Sequence, residues 1–203
     1  PAQICFPPIE TDLVYKPFMS SEIIEALDDD QINVYRDVYR ELISPLMRRE
    51  NPGMVGISIV QQKQLIPTFT FSKMIKEEFP NAHITIGGNI VTRIRDELKT
   101  QDKLFKYIDS AVLYEGENAY LKLVNAVEHA RPLAGLPNLM YRDESGICTN
   151  QDVCSEDLSK LPPPDFDGLA LEKYFVPKLI LPFLATRGCY WGRCTFCDHF
   201  QGY

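Results

Sequence analysis

Apolar positions along the chain switch repeatedly between helical and strand spacing. Over residues 31–50, Tyr35, Val38, Tyr39, Leu42, Leu46 and Met47 recur at helical intervals behind an Asp28-Asp29-Asp30 run. Acidic groups suit a helix N-terminus, so this spacing predicts an amphipathic helix whose end Pro45 bends or shortens. Residues 54–60, Met-Val-Gly-Ile-Ser-Ile-Val, form a short β-branched apolar run between polar residues, the pattern of a strand buried on both faces. Helical spacing returns through Leu65, Phe69, Met74, Ile75 and Phe79, with Pro67 tolerated in the first turn. His83-Ile84-Thr85-Ile86 then reads as a strand running straight into Gly87-Gly88. Residues 90–99 read as helix, 110–114 as strand and 117–130 as helix again.

Strands that recur every ~25–30 residues with helices between them call for crossover connections and a parallel sheet covered on both faces. The expected fold class is therefore α/β, a Rossmann-like or flavodoxin-like parallel sheet, with the strand order left open. After residue 135 the pattern changes. Residues 138–142 and 147–150 flank Asp143-Glu144-Ser145-Gly146, which predicts a short hairpin closing a first domain over residues 1–150. Pro162-Pro163-Pro164 disfavours helix and marks residues 151–178 as a linker. Residues 179–185, Leu-Ile-Leu-Pro-Phe-Leu-Ala, read as a new strand opening a second unit over residues 179–203.

Composition narrows the function classes. The 203 residues suffice for one α/β domain and a smaller appendage, and 45 % hydrophobic with 24 % charged residues is ordinary for a packed fold. A formal net charge of −7 without a Lys/Arg stripe argues against a nucleic-acid backbone or an anionic membrane as partner. No apolar stretch reaches the ~20 residues that cross a bilayer, so a cytoplasmic location is expected. Opening at Pro1 and closing at Tyr203, soon after the last cysteine, the chain reads as a piece of a longer polypeptide.

Three of the six cysteines, Cys189, Cys194 and Cys197, crowd into one short loop with C-x4-C-x2-C spacing, which suggests metal ligation rather than disulfides. Thiolates so placed can each bind one iron of a cubane and leave the fourth open. A strand, Arg187-Gly188-Cys189, an aromatic loop containing Gly192, and then Cys194-Thr195-Phe196-Cys197 together resemble the radical S-adenosylmethionine superfamily. The usual spacing there has three residues between the first two cysteines, and this chain has four, Tyr190 to Arg193. The resemblance implies that Cys189, Cys194 and Cys197 hold a 4Fe-4S cluster whose open iron chelates S-adenosylmethionine. It further implies that reductive cleavage gives a 5′-deoxyadenosyl radical, and that Phe196 occupies the aromatic position beside the cofactor. A different reading of the same loop is a structural zinc site formed by the three cysteines with His199.

Upstream, Gly56-Ile57-Ser58-Ile59-Val60 resembles the strand-end Ser-x-Leu element of cobalamin-binding domains, and Ile86-Gly87-Gly88-Asn89 resembles their Gly-Gly element. Tyr114-Glu115-Gly116-Glu117 resembles a Gly-Glu turn found after a later strand there. By this resemblance Ser58, Gly87, Gly88, Glu115 and Gly116 line a pocket for the nucleotide tail. Ser58 is suited to hydrogen-bond a polar tail, and the glycines admit close backbone approach. The D-x-H-x-x-G element that supplies an axial histidine in methionine-synthase-like domains is absent, and neither His83 nor His129 replaces it. The chain thus resembles the cobalamin-dependent radical S-adenosylmethionine enzymes, which implies a methyltransferase using the cluster, S-adenosylmethionine and cobalamin, with a flavodoxin or ferredoxin as reductant. The substrate site would lie outside these residues, leaving this piece inactive alone. Two alternatives stay open: a ligand-binding or interaction module with structural zinc, and a radical enzyme whose Rossmann-like domain binds no cobalamin.

Overall fold

The structure, a computed structural model, describes residues 3–5, 10–150, 153–174, 176–184 and 186–197. Strands β1 (Gln3–Cys5) and β2 (Glu10–Asp12) form a small antiparallel pair ahead of the main unit. Helix α1 (Ser20–Ala26) follows, and then the helical stretch foreseen around residues 31–50. That stretch begins later than the sequence suggests. Asp29 Oδ1 accepts from the backbone N–H groups of Gln31 and Ile32, which closes a turn before helix α2 (Tyr35–Val38) starts.

Helix continues beyond α2 through a π-helical turn, Tyr39–Ile43, into α3 (Ser44–Glu50). Pro45 lies in the first turn of α3. It offers no N–H, and its ring crowds the carbonyl four residues back; the wider turn just before it makes room. The extra residue in that turn moves every later position on by one. Tyr39 and Met47 are buried as the spacing predicts and Ser44 joins them, whereas Leu42 and Leu46, expected on the same face, point to solvent.

The main sheet is built from β3 (Met54–Ser58), β4 (His83–Gly87), β5 (Ser110–Val112), β6 (Leu139–Asp143) and β7 (Gly146–Thr149), adjacent in chain order. The first three are parallel, as expected, with Ser58 opposite Gly87 and Thr85 opposite Ser110. Between them run α4 (Leu65–Glu78) and three short helices, α5 (Asn89–Arg93), α6 (Arg95–Leu98) and α7 (Asp102–Phe105). The single helix expected at residues 90–99 is thus broken at Ile94, which leaves helical geometry at φ −100° and ψ 16°. Helix α8 (Glu117–Glu128) follows β5.

The expected hairpin forms as β6 and β7, and it joins the main sheet: β6 lies antiparallel against β5. The architecture is α/β and Rossmann-like, with a mixed rather than wholly parallel sheet. Side chains alternate between the two faces of each strand. On one face Ile84, Ile86, Ala111 and Met140 pack with Ile23 of α1, Leu27 just after it, and Phe69 and Ile75 of α4. On the other, Val112, Leu139 and Tyr141 pack with Ala119 and Leu123 of α8.

Residues 153–174 hold only two single 3-10 turns, Leu158–Lys160 and Leu171–Lys173, consistent with the extended backbone that consecutive prolines impose. The strand expected over residues 179–185 is not formed at 179–184, and 185 lies outside the described residues. A strand is stable only when its backbone groups pair with a neighbour, and among the described residues this segment has none. No helix of the described residues is long and apolar enough to cross a membrane.

Candidate functional site

Strand β3 was expected to be buried on both faces, yet Gly56 and Ser58 are exposed. The reason is the chemistry of one sheet face. The strand register sets Gly56 beside Thr85, Ser58 beside Gly87 and Thr85 beside Ser110, a row of small side chains toward the carboxyl ends of the parallel strands. With no bulk to fill the space, α8 stands off the sheet there. A cavity of about 570 Å³ opens between them, a size typical of small-molecule pockets. Ligands of open α/β sheets characteristically bind at strand carboxyl ends.

Five of the residues singled out in the sequence, Ser58, Gly87, Gly88, Glu115 and Gly116, line this one cavity. Gly88 has a specific reason to be glycine: its φ is +99°, and a Cβ there would lie 2.4 Å from the Ile59 carbonyl oxygen. The backbone of Tyr114, also at the cavity, takes a left-handed φ of 57°, held by its N–H donating to Thr92 Oγ1 at 2.7 Å. Such strain in a non-glycine residue persists only where surrounding contacts fix it, and it concentrates at binding sites. The Tyr120 hydroxyl of α8 would be 2.9 Å from a Cβ on Gly56, so that glycine lets the tyrosine ring lie on the sheet.

Arg187, two residues before Cys189, closes one side. Its Nη1 donates to Glu115 Oε1 at 3.1 Å, and its Nη2 bonds Glu117 Oε1. Glu115 is 8 % exposed and uses its second oxygen to accept the Glu156 N–H at 2.5 Å. Asn138 adds a stitch, donating to the carbonyls of Glu115 and Cys154 and accepting the Cys154 N–H. The Arg187 guanidinium holds the Glu117 carboxyl below its ordinary range, and Glu117 in return raises Arg187 further. The segment leading to the cysteines is therefore fastened to the cavity rim by charge.

The cysteine loop itself is open to solvent. Cys189 is exposed, Cys194 and Cys197 are half-buried, and all three are free thiols. Backbone N–H groups of Gly192 and Trp191 pull the Cys189 thiol down toward the thiolate form that binds metals. Among the described residues no three His, Cys, Asp or Glu side chains are gathered to hold a metal ion. Phe196, expected beside a cofactor, is 91 % exposed and does not line the cavity. His199 lies outside the described residues.

Sequence reasoning missed Thr85, Asn89, Tyr120, Leu184 and Arg187, all of which line the cavity. Thr85 carried a signal as the single hydroxyl inside Ile84-Thr85-Ile86, and Arg187 stood within the Arg-Gly-Cys element. Tyr120 and Leu184 carried none, since each reads as an ordinary apolar position.

No family model matches the chain. An uncharacterized methyltransferase of Pyrococcus horikoshii is 29 % identical over 161 residues, covering 77 % of this chain and 33 % of the relative. The chain thus spans about a third of the length of that curated protein. Two solved structures of the radical S-adenosylmethionine methyltransferase TsrM from Kitasatospora setae are also similar. One, with tryptophan substrate and the analogue aza-SAM bound, has a TM-score of 0.43 and 18 % identity over 67 % of this chain and 28 % of TsrM. The other, with cobalamin and a 4Fe-4S cluster bound, has a TM-score of 0.43 and 20 % identity over 62 % of this chain and 26 % of TsrM.

Proposed function

We propose that this chain is the cobalamin-binding portion, joined to the start of the catalytic portion, of a cobalamin-dependent radical S-adenosylmethionine methyltransferase. The observation that carries the reading is the meeting of two motifs at one place. Ser58, Gly87, Gly88, Glu115 and Gly116 line the cavity, and Arg187 of the cysteine-bearing segment is ion-paired on its rim. The 29 % identity to an uncharacterized methyltransferase across 77 % of the chain supports the transferase class.

The cavity residues fit part of a corrinoid. The left-handed Gly88 cradle admits backbone close to a ligand, and the buried Asn89 Oδ1 has no partner among the described residues. A volume of about 570 Å³ would suit the nucleotide tail of such a ligand. Cys189, Cys194 and Cys197 supply the thiolate set that a cubane needs, and loops of this kind take their final geometry when metal binds. When bound, the cluster and S-adenosylmethionine supply reductive sulfonium cleavage, and cobalamin carries the methyl group. This chain's own residues then bind the tail, hold Arg187 and its loop at the rim, and exclude water from the cavity floor.

Titration of the chain with hydroxocobalamin, followed by its visible spectrum, tests the first half, with saturable spectral change at one equivalent expected. Anaerobic reconstitution followed by iron and acid-labile sulfide analysis tests the second. Iron with sulfide supports the cluster, whereas one zinc without sulfide would replace it by a structural site. A cluster without corrinoid binding would leave a radical enzyme of a different reaction.

A further inference from the structure

One carboxylate holds both ends of the linker that leads to the cysteine loop. Glu115 Oε2 accepts the Glu156 N–H at 2.5 Å, and Glu115 Oε1 accepts from Arg187 Nη1 at 3.1 Å. With Nη2, Arg187 reaches a second carboxylate, that of Glu117. Among the described residues, these contacts of Arg187 are the only hydrogen bonds that tie residues 176–197 to the sheet and its helices. Apolar packing adds little, since Phe183, Leu184 and Tyr190 are all largely exposed. Docking of the cysteine-bearing segment therefore rests on one guanidinium.

Arg187 belongs to the cavity as well. It lines the space together with Leu184, Glu115 and Glu117, so releasing the segment would remove part of the wall. The ion pair still meets water there: the Arg187 side chain is 22 % exposed and that of Glu117 40 %. A ligand that fills the cavity displaces this water, and opposite charges attract more strongly once water is withdrawn. Occupancy thus favours the docked segment. Cys189 lies two residues beyond Arg187. Three thiolates gather on a metal only by giving up chain freedom, and fixing the chain just before the first of them leaves less freedom to lose. Docking thus favours metal binding too.

We propose that Arg187 is a positioning residue that couples the two sites: through docking of its segment, the cavity and the cysteine loop bind their ligands cooperatively. The coupling rests on the reading that the cavity takes a corrinoid and the loop a metal. It is reciprocal by thermodynamic necessity, each ligand strengthening the other by the same factor. A chain with an empty cavity therefore holds its metal less tightly than one with the corrinoid seated.

The test is calorimetric titration of the full chain with Zn²⁺, with and without saturating methylcobalamin, and the converse titration with methylcobalamin. Zn²⁺ binds thiolates without cluster assembly, and the carbon ligand on the cobalt of methylcobalamin keeps free thiolates off it. Each ligand is expected to show a Kd about tenfold lower in the presence of the other. Arg187→Met keeps the apolar stem and removes the charge, and is expected to bring that factor to within about twofold of unity while both ligands still bind. Glu117→Gln changes only the more exposed arm, leaves the Glu115 pair in place, and is expected to retain a factor of about three. Kd values in the wild-type chain that do not respond to the other ligand overturn the coupling and need no variant to fold. So does a factor unchanged in folded Arg187→Met or, should that variant not fold, in Glu117→Gln. A wild-type chain that takes up Zn²⁺ but no methylcobalamin overturns the cobalamin reading, and the coupling with it. Uptake of methylcobalamin without Zn²⁺ overturns the coupling and leaves the cobalamin reading standing.

Discussion

At the scale of single residues, the informative positions are those where chemistry and place disagree. Gly88 meets the Ile59 backbone and cannot yield, while Gly135, at φ +81°, has nothing within 4 Å of a Cβ. Gly88→Ala is expected to destabilise the fold by about 2–4 kcal/mol, through strain and clash together, and Gly135→Ala by only about 1 kcal/mol. Urea unfolding midpoints of the two variants check this. His83 is a second such residue. Burial lowers its pKa below the ordinary 6.5, with Asp109 opposing and Lys76 adding to the shift. The unfolded chain then binds a proton more readily than the folded one, so stability falls as the pH drops below 6.5. His83→Gln is expected to flatten that fall, measured as the difference in unfolding midpoint between about pH 7.5 and pH 5.5.

At the scale of elements, the contact that matters most is between the segment carrying Arg187 and the start of α8. Arg187 is separated from Glu115 by 72 residues, and the two are joined in a largely buried ion pair with Glu117 beside it. Arg187→Ala is expected to release the cysteine-bearing segment and leave the sheet intact. Trp191, the only tryptophan, lies in that segment and reports on it: its fluorescence anisotropy should fall while the far-ultraviolet circular dichroism is unchanged. A double-mutant cycle with Glu115→Gln should give a coupling of about 1–2 kcal/mol. Because Arg187 lowers the Glu117 pKa, the fastening is complete above the ordinary 4.5 and is lost as the pH falls beneath it.

At the scale of the molecule, the cavity links ligand binding to stability. A ligand that enters it contacts β3, β4, β5 and α8 together, so it binds the folded chain and not the unfolded one. At a hydroxocobalamin concentration about 100 times Kd, the gain is about 2.7 kcal/mol. For a chain of 203 residues that corresponds to a rise in Tm of about 5–10 °C. Differential scanning calorimetry with and without hydroxocobalamin measures it, and an unchanged Tm at saturating ligand would contradict binding at this site.

Much of this was set locally and could be read from neighbouring residues. The alternation of β3, α4, β4, β5 and α8 follows from hydrophobic period. The tendency of Pro162 to Pro164 toward extended backbone is a property of those residues, whereas the need for glycine at Gly88 comes from the Ile59 backbone packed against it. Met47 of α3 lies inside as its spacing predicts, but Leu46 does not, because the π-helical turn that precedes Pro45 shifts the register by one residue. Other features are set by distance through space. A mixed sheet arises because β6 finds β5, and pattern alone carries no record of which strand edge a hairpin will choose. The hydrogen bonds from Ser110 to Thr85 and between His83 and Ser110 join residues 25 and 27 apart, and the Arg187 contacts join residues 70 and 72 apart. Side chains so far separated meet only when the sheet register and the return of the linker bring them together, and that depends on the summed packing of the whole fold.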